Sequence, residues 1–346
     1  MAGAQTRRPI AVTMGDPAGC GPRILAQAFH QLGGHIQGHP LVLVGDPRAF
    51  EPLIDIELID NLDDLSSGAP RTTLPVIKTR ERLAKAPRPG VPQTSHSEAI
   101  IASIRDATTL TRAGKTAALV TNPISKALLY GAGFRFPGHT EFLADLCREP
   151  GKDVPAPIMM LVGGGLRVAL ATIHMPLMRV GETLSQALLC KTARIVDRDL
   201  KSKFGFDQPR IAFCGLNPHA GEGGSLGDEE GTLINPAAEK LREEGLIISD
   251  ARPGDTVFHE ALSGAYDAVI AMTHDQGLIP VKTLDFWGGV NTTLGLPIIR
   301  TSPDHGTAYE AAAAGTCRPD SLVAALKLAA QMADQNASGV LEGQDA

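Results

Sequence analysis

The sequence predicts an α/β protein of about two domains, and three observations carry that expectation. Short aliphatic, β-branched runs alternate with helical stretches, the pattern of mainly parallel sheets covered on both faces. Glycine (37 residues) and proline (25) are plentiful while aromatics are only 4%, which suits many short loops joining aliphatic elements. The 346 residues, at roughly 100–200 per domain, make about two domains. A hydrophobic content of 43% supplies a core for each.

The elements follow in order. Pro9–Met14 reads as the first strand and Pro22–Leu32 as the helix after it, its proline suited to the first turn. Leu41–Val44 is a second strand. Ser97–Ala113 carries Ala99, Ile100, Ile101, Ile104 and Ala107 at helical spacing, and Ala117–Thr121 is the strand behind it. Pro157–Val162 and Leu166–Thr172 form a hairpin across Gly163–Gly165. Leu184–Lys203 is a long helix leading to the strand Arg210–Cys214. Asn235–Glu244 is helical, Ala268–Met272 a buried strand and Ile298–Arg300 a shorter one. Asp320–Gln335 closes the pattern with Ala324, Ala325, Leu328 and Met332 on one face. Leu62–Thr73 and Lys85–Gln93 read as loops, and the small polar residues Asn336–Ala346 are expected to fray. No internal repeat is visible.

Charge and cysteine usage narrow the function classes. The balance of 32 basic to 38 acidic residues, with no long basic run, argues against a nucleic-acid partner. No apolar run reaches 18 residues, so no membrane span is expected, and Pro9–Met14 is too short for the apolar core of a secretory leader. The five cysteines are odd in number, widely spaced and free of C-x-x-C. That predicts neither a disulfide scaffold nor a cysteine zinc site, and it fits the cytoplasm.

Gly114-Lys115-Thr116 imitates the end of a phosphate-binding loop, but the first glycine of that motif would fall at Thr109, inside a helix. Gly114 reads instead as a helix C-cap. No G-x-G-x-x-G follows any strand, so a conventional dinucleotide fingerprint is missing. Met14–Pro22 carries three glycines into a helix start, either a tight strand-to-helix turn or a backbone cradle at a ligand. His174, His219 and His274 each lie just beyond an apolar strand. In a parallel sheet those strand ends share one rim, and three imidazoles suit a divalent ion with a position left open. Each alone reads more readily as a structural histidine. Gly138-His139-Thr140-Glu141 opens a helix whose start either binds phosphate or carboxylate or is simply capped by Thr140. Lys282, Asn291 and Arg300 together suit an anionic ligand, Arg300 as a bidentate donor, while each alone reads as a solvated or structural residue.

Taken together, Gly15–Pro22, Pro137–Phe142, Ala169–Pro176, Gly215–Gly224, His274–Gly277 and Gly289–Gly306 resemble the 4-hydroxythreonine-4-phosphate dehydrogenase family of pyridoxal phosphate biosynthesis, in the family's order. The resemblance implies two α/β/α domains similar to isocitrate and isopropylmalate dehydrogenases, with an interdomain cleft. Residues 1–135 plus 290–346 would form a terminal domain, and 136–289 a central domain carrying the interface of a homodimer with a shared active site. It also implies a divalent metal (zinc, magnesium or cobalt) on His174, His219 and His274, shared between subunits. Substrate contacts would come from His139, Thr140, Lys282, Asn291 and Arg300. Lys282 or Asp255 would relay a proton, and NAD or NADP would lie against His305, Gly306 and Thr307. The implied reaction oxidises and decarboxylates 4-phosphohydroxy-L-threonine to 3-amino-2-oxopropyl phosphate. Arg23 departs from a family glutamate, and Thr121–Lys126 from a His-Lys pair seen in some members. The competing expectations are a phosphothreonate or aromatic cis-dihydrodiol dehydrogenase, a three-histidine metal hydrolase needing no nucleotide, and a non-catalytic binding protein.

Overall fold

Strands and helices alternate through the computed structural model, which describes residues 7–65 and 70–342. The chain divides into two units, Met1–Ala156 with Leu296–Asp334 and Pro157–Gly295 with Gln335–Ala346. In chain order the first stretch holds β1 (Ile10–Thr13), α1 (Gly21–Leu32), β2 (His35–Ile36), β3 (His39–Gly45), β4 (Ile56–Leu58), β5 (Leu74–Lys78), α2 (Ser97–Arg112), β6 (Ala118–Val120), α3 (Lys126–Tyr130) and α4 (His139–Leu146). The middle stretch holds β7 (Ile158–Gly163), β8 (Leu166–Leu170), α5 (Val180–Thr183), α6 (Gln186–Phe204), β9 (Arg210–Cys214), α7 (Asn235–Glu243), β10 (Ile247–Arg252), α8 (Val257–Leu262), β11 (Ala268–Ala271), α9 (His274–Leu284) and β12 (Val290–Leu294). The last holds β13 (Arg300–Pro303), α10 (Tyr309–Ala314) and α11 (Asp320–Glu342).

The first unit is built on strands in the order β13-β6-β1-β3-β5-β4, each neighbouring pair parallel. β1 lies inside this sheet with all four residues buried, which is why Ile-Ala-Val-Thr reads as an unbroken run rather than an alternating one. α1 starts with Pro22 in its first turn and stops at Gly33 in the left-handed region (φ 64°). Gly114 takes a left-handed φ of 68° just past α2, so the helix-end reading of Gly-Lys-Thr holds.

The second unit orders its strands β10-β9-β11-β8-β7-β12. The first four run parallel, and β7 is antiparallel to both β8 and β12. The β7–β8 turn is Gly164-Gly165, both at positive φ (58° and 88°), the conformation a two-residue hairpin requires. On one face α6 packs Leu189, Ala193, Val196 and Leu200 against Ile211, Phe213 and Leu241. Each large aliphatic buried there contributes roughly 1.5–3 kcal/mol.

Four expectations need correction. The strand expected at Ile298–Arg300 begins at Arg300, because the parallel register sets Arg300 and Thr301 opposite Leu119 and Val120. α11 continues through Asn336 to Glu342, since no proline interrupts it; residues 343–346 lie outside the described residues. Within Leu62–Thr73, residues Leu62–Asp64 form a short 3-10 turn capped by Asn61, and 66–69 lie outside the description. Finally, Cys20 and Cys317 form a disulfide with Cα atoms 5.7 Å apart. Their separation of 297 residues hides the pairing from any reading of local spacing, whereas Cys147, Cys190 and Cys214 are free and buried. No helix among the described residues is long and apolar enough to cross a membrane.

Candidate active site

Three loops of the second unit lie side by side for a topological reason. β8, β11 and β9 are adjacent and parallel, so the segments following them leave the same edge of the sheet. His174 follows β8, His274 opens α9 directly after β11, and His219 lies in the segment after β9. The rings of His174 and His274 have centroids 5.3 Å apart. Nδ1 of His274 lies 2.8 Å from Oδ1 of Asp275, which fixes the ring and leaves Nε2 as the nitrogen to ligate. Thr273 starts α9 by accepting from the Gln276 N–H.

Gln276 ties two of these loops together. Its Oε1 accepts from the Met272 N–H at 2.7 Å, and its Nε2 donates to the Gly215 carbonyl at 2.7 Å. The end of β11 is thereby fastened to the end of β9. Gly254, beside Asp255, approaches the same amide so closely that an added Cβ would sit 3.3 Å from Nε2. Asp255 itself is exposed. Cys214 lies beneath this edge, its thiol pushed up to about 12 by burial and by the charges of Glu230 and Asp255.

His219 stands in an unusual backbone. His219 to Gly223 all have positive φ, at 51°, 53°, 77°, 43° and 66°. Two of the five are glycines; His219, Ala220 and Glu222 carry side chains there, at a cost of about 1–2 kcal/mol each. The neighbouring Glu230, only 4% exposed, accepts from the Leu216 and Asn217 N–H groups through Oε1 at 2.8 and 2.7 Å. Lys282, in α9, lies over the Phe286 ring at 5.4 Å, and Asn291 is in β12.

In the first unit the parallel strands gather another set. The turn after β1 is bound to its neighbours by Asp16 N–H to Pro123 O (2.9 Å) and Cys20 N–H to Thr307 O (2.8 Å). Gly19 leaves no room for a side chain, since a Cβ would lie 2.7 Å from Thr307 O. Tyr309 donates to Asp16, whose carboxyl is pushed up by burial despite that bond; Tyr309 rises to about 12 by burial and by Asp16. His305 bonds the carbonyl of Gly306 through Nδ1 (2.9 Å), and a Cβ on Gly306 would meet nothing within 4 Å.

Arg300 is 3% exposed and reaches Thr121 Oγ1 through Nε and Nη2, at 3.1 and 2.6 Å. Burial pulls it down to about 10, so it stays charged at neutral pH. His139 opens α4, and its Nε2 is shut from solvent with no hydrogen-bond partner among the described residues. Burial, then the charges of Arg300 and Lys126, push this imidazole well below its ordinary value and keep it neutral. Thr140 lies inside α4 and caps nothing, against the simple capping expectation.

The structure therefore groups His174 with His274 in the second unit, and His139 with Arg300 in the first. Gln276, Glu230 and Lys126 escaped the sequence reading. Gln276 lay within a quoted motif, but its partners are backbone atoms of distant strands. Among the described residues no cluster of three or more His, Cys, Asp or Glu side chains suits a metal ion. The His174–His274 pair, with Nδ1 of His274 already engaged, fits two imidazole ligands of a divalent ion.

Comparison with known proteins gives a consistent result. A family model described as "Pyridoxal phosphate biosynthetic protein PdxA" matches residues 37–329. A 4-hydroxythreonine-4-phosphate dehydrogenase of Maricaulis maris is 48% identical over 332 residues, 94% of this chain and 98% of that protein. The crystal structure of a 4-hydroxythreonine-4-phosphate dehydrogenase from Klebsiella pneumoniae aligns with TM-score 0.84 at 38% identity, covering 94% of this chain and 99% of that one. More distant is a terephthalate 1,2-cis-dihydrodiol dehydrogenase from Burkholderia xenovorans, with TM-score 0.65 and 26% identity over 94% of this chain and 98% of that one.

Proposed function

The chain belongs to the pyridoxal phosphate biosynthetic protein PdxA family, and from that premise we propose that it is a 4-hydroxythreonine-4-phosphate dehydrogenase. It oxidises 4-phosphohydroxy-L-threonine at its secondary hydroxyl, and the resulting β-keto acid loses CO₂ to give 3-amino-2-oxopropyl phosphate. The observation that carries the reading is that His174, His219 and His274 follow three adjacent parallel strands in a chain so similar to dehydrogenases of that name.

His174, His219 and His274 would hold a divalent ion (zinc, magnesium or cobalt), with ligands shared between the two subunits of a homodimer. The chemistry such an ion supplies is electrophilic: it lowers the pKa of a bound hydroxyl and stabilises enolate charge. Exposed Leu177 (73%), Met178 (88%) and Ile279 (64%), close in sequence to His174 and His274, support burial of this edge against a partner. His139, neutral, donates its ring N–H to an oxygen of the bound phosphate or carboxylate. Arg300 supplies fixed positive charge, and Thr140 with the first N–H groups of α4 completes the anion's hydrogen bonds. Lys282 or Asp255 takes the hydroxyl proton. NAD or NADP, the hydride acceptor, would lie against the open outer side of His305, Gly306 and Thr307.

The test is direct. Purified protein with a divalent ion, NAD⁺ and 4-phosphohydroxy-L-threonine is expected to generate NADH, and metal-loaded dimer that yields none would sink the assignment. The likeness to a cis-dihydrodiol dehydrogenase favours one second reading, an aromatic cis-dihydrodiol substrate. A panel under identical conditions separates them by kcat/KM.

A further inference from the structure

We infer that Glu230 is a positioning residue, whose carboxylate holds the left-handed turn that presents His219 to the divalent ion. The inference rests on the metal reading above and deepens it. Left-handed backbone is ordinarily visited by single residues, not by runs. Here six residues in succession, His219 to Gly224, have positive φ, so something outside the turn must impose it.

The contacts around the turn converge on Glu230. Its Oε1 receives the N–H groups of Leu216 and Asn217 at 2.8 and 2.7 Å, just before the turn. Its Oε2 receives the Asn217 side-chain amide at 2.9 Å. Midway through the turn, Gly221 approaches so closely that a Cβ would lie 2.7 Å from the same Oε2. The turn is closed behind by Leu226 N–H to Gly221 O at 3.1 Å. Gly227 packs on Asn217, where a Cβ would collide with Nδ2. No ion pair to Glu230 is found among the described residues, so this nearly buried carboxylate (4% exposed) is satisfied by three N–H donors of Leu216 and Asn217.

Glu230 also begins a π-helical turn, Glu230–Ile234, ahead of α7, a distortion that recurs at functional sites. At its start the side chain of Glu230 meets the loop, and at its end Ile234 is fully buried. Glu229, one residue earlier, reaches the same Asn217 amide at 2.6 Å. Both carboxylates therefore act on the residue two positions before His219. A carboxylate is required because all three groups facing it are donors. In Glu230→Gln one oxygen can still accept from the backbone, but the new NH₂ faces the Asn217 amide donor and the crowded Gly221.

The experiment compares the full-length protein with Glu230→Gln and Glu230→Ala, using Co²⁺ alone as probe. Hydrogen exchange of the peptide spanning residues 216–224, measured without metal, is expected to speed up at least about tenfold in both variants while the core strands keep their protection. Co²⁺ affinity, read by calorimetry and by the visible spectrum of the ion, is expected to fall about 10–100-fold. Unchanged exchange in both variants would overturn the clamp. Faster exchange with wild-type Co²⁺ affinity would overturn its role in presenting His219. Unsubstituted protein that binds no Co²⁺, or a His219→Ala variant that binds it as well as wild type, would overturn the metal reading and this inference with it.

Discussion

Gln276→Leu tests whether the edge carrying the histidines is held by one side chain. Leucine keeps much of the volume but removes an acceptor from the Met272 N–H and a donor from the Gly215 carbonyl, both bonds being 2.7 Å long. Met272 and Gly215 are buried residues, so water cannot readily replace what is lost. Orphaning a buried backbone group costs about 1–3 kcal/mol, and two such groups, partly offset by the apolar replacement, bring the loss to about 2–4 kcal/mol. With a urea slope of roughly 2 kcal/mol/M, the midpoint falls by about 1–2 M. The sequence has a single tryptophan, Trp287, which lies in the second unit and is 51% exposed. Its fluorescence therefore follows that unit even if the two units unfold separately. Co²⁺ binding is expected to weaken in parallel, because Gln276 shares the first turn of α9 with His274. A midpoint within 0.2 M of wild type (about a tenth to a fifth of the expected shift) would refute the reasoning.

Two further predictions follow from other parts of the chain. His139 has its folded value pushed well below 6.5 by burial and by Arg300 and Lys126, so the unfolded chain binds more protons as pH drops below 6.5. Stability present above that pH is then lost toward the folded value; urea midpoints between pH 8 and 5 should fall less steeply in His139→Asn, and equal slopes would contradict the prediction. The Cys20–Cys317 disulfide spans 297 residues, and its loss in Cys20→Ser or under reductant should cost the first unit about 2–4 kcal/mol. Non-reducing peptide mapping should join the two cysteine peptides, whereas five titratable thiols in the unreduced, denatured protein would disprove the pairing.

Much of the fold is legible because local rules and tertiary structure agree where strands are buried on both faces. β1, β9 and β11 are continuous apolar runs since each lies inside a parallel sheet, and the Gly164-Gly165 turn can only serve a hairpin. Edge elements were not legible. β4 and β10 lie at the sheet margins with exposed residues, so they lack the apolar run that marks a strand. α9 contains Pro280 and Gly277, both of which argue against a helix locally. It forms because Gly277 lets the helix lie on β8, where a Cβ would meet Leu170 at 2.5 Å.

The candidate site divides along the same line. The sequence by itself determined which residue types were available and that three histidines follow apolar strands, because strand ends and ligand chemistry are local properties. Only the tertiary structure decided that β8, β11 and β9 are neighbours, that Gln276 fastens two of their ends, and that Glu230 meets the turn before His219. It also paired Cys20 with Cys317. These are contacts between residues far apart in the chain, or between side chains and backbone atoms of another strand. No periodicity records them, since they depend on strand order and on which groups burial leaves in need of a partner.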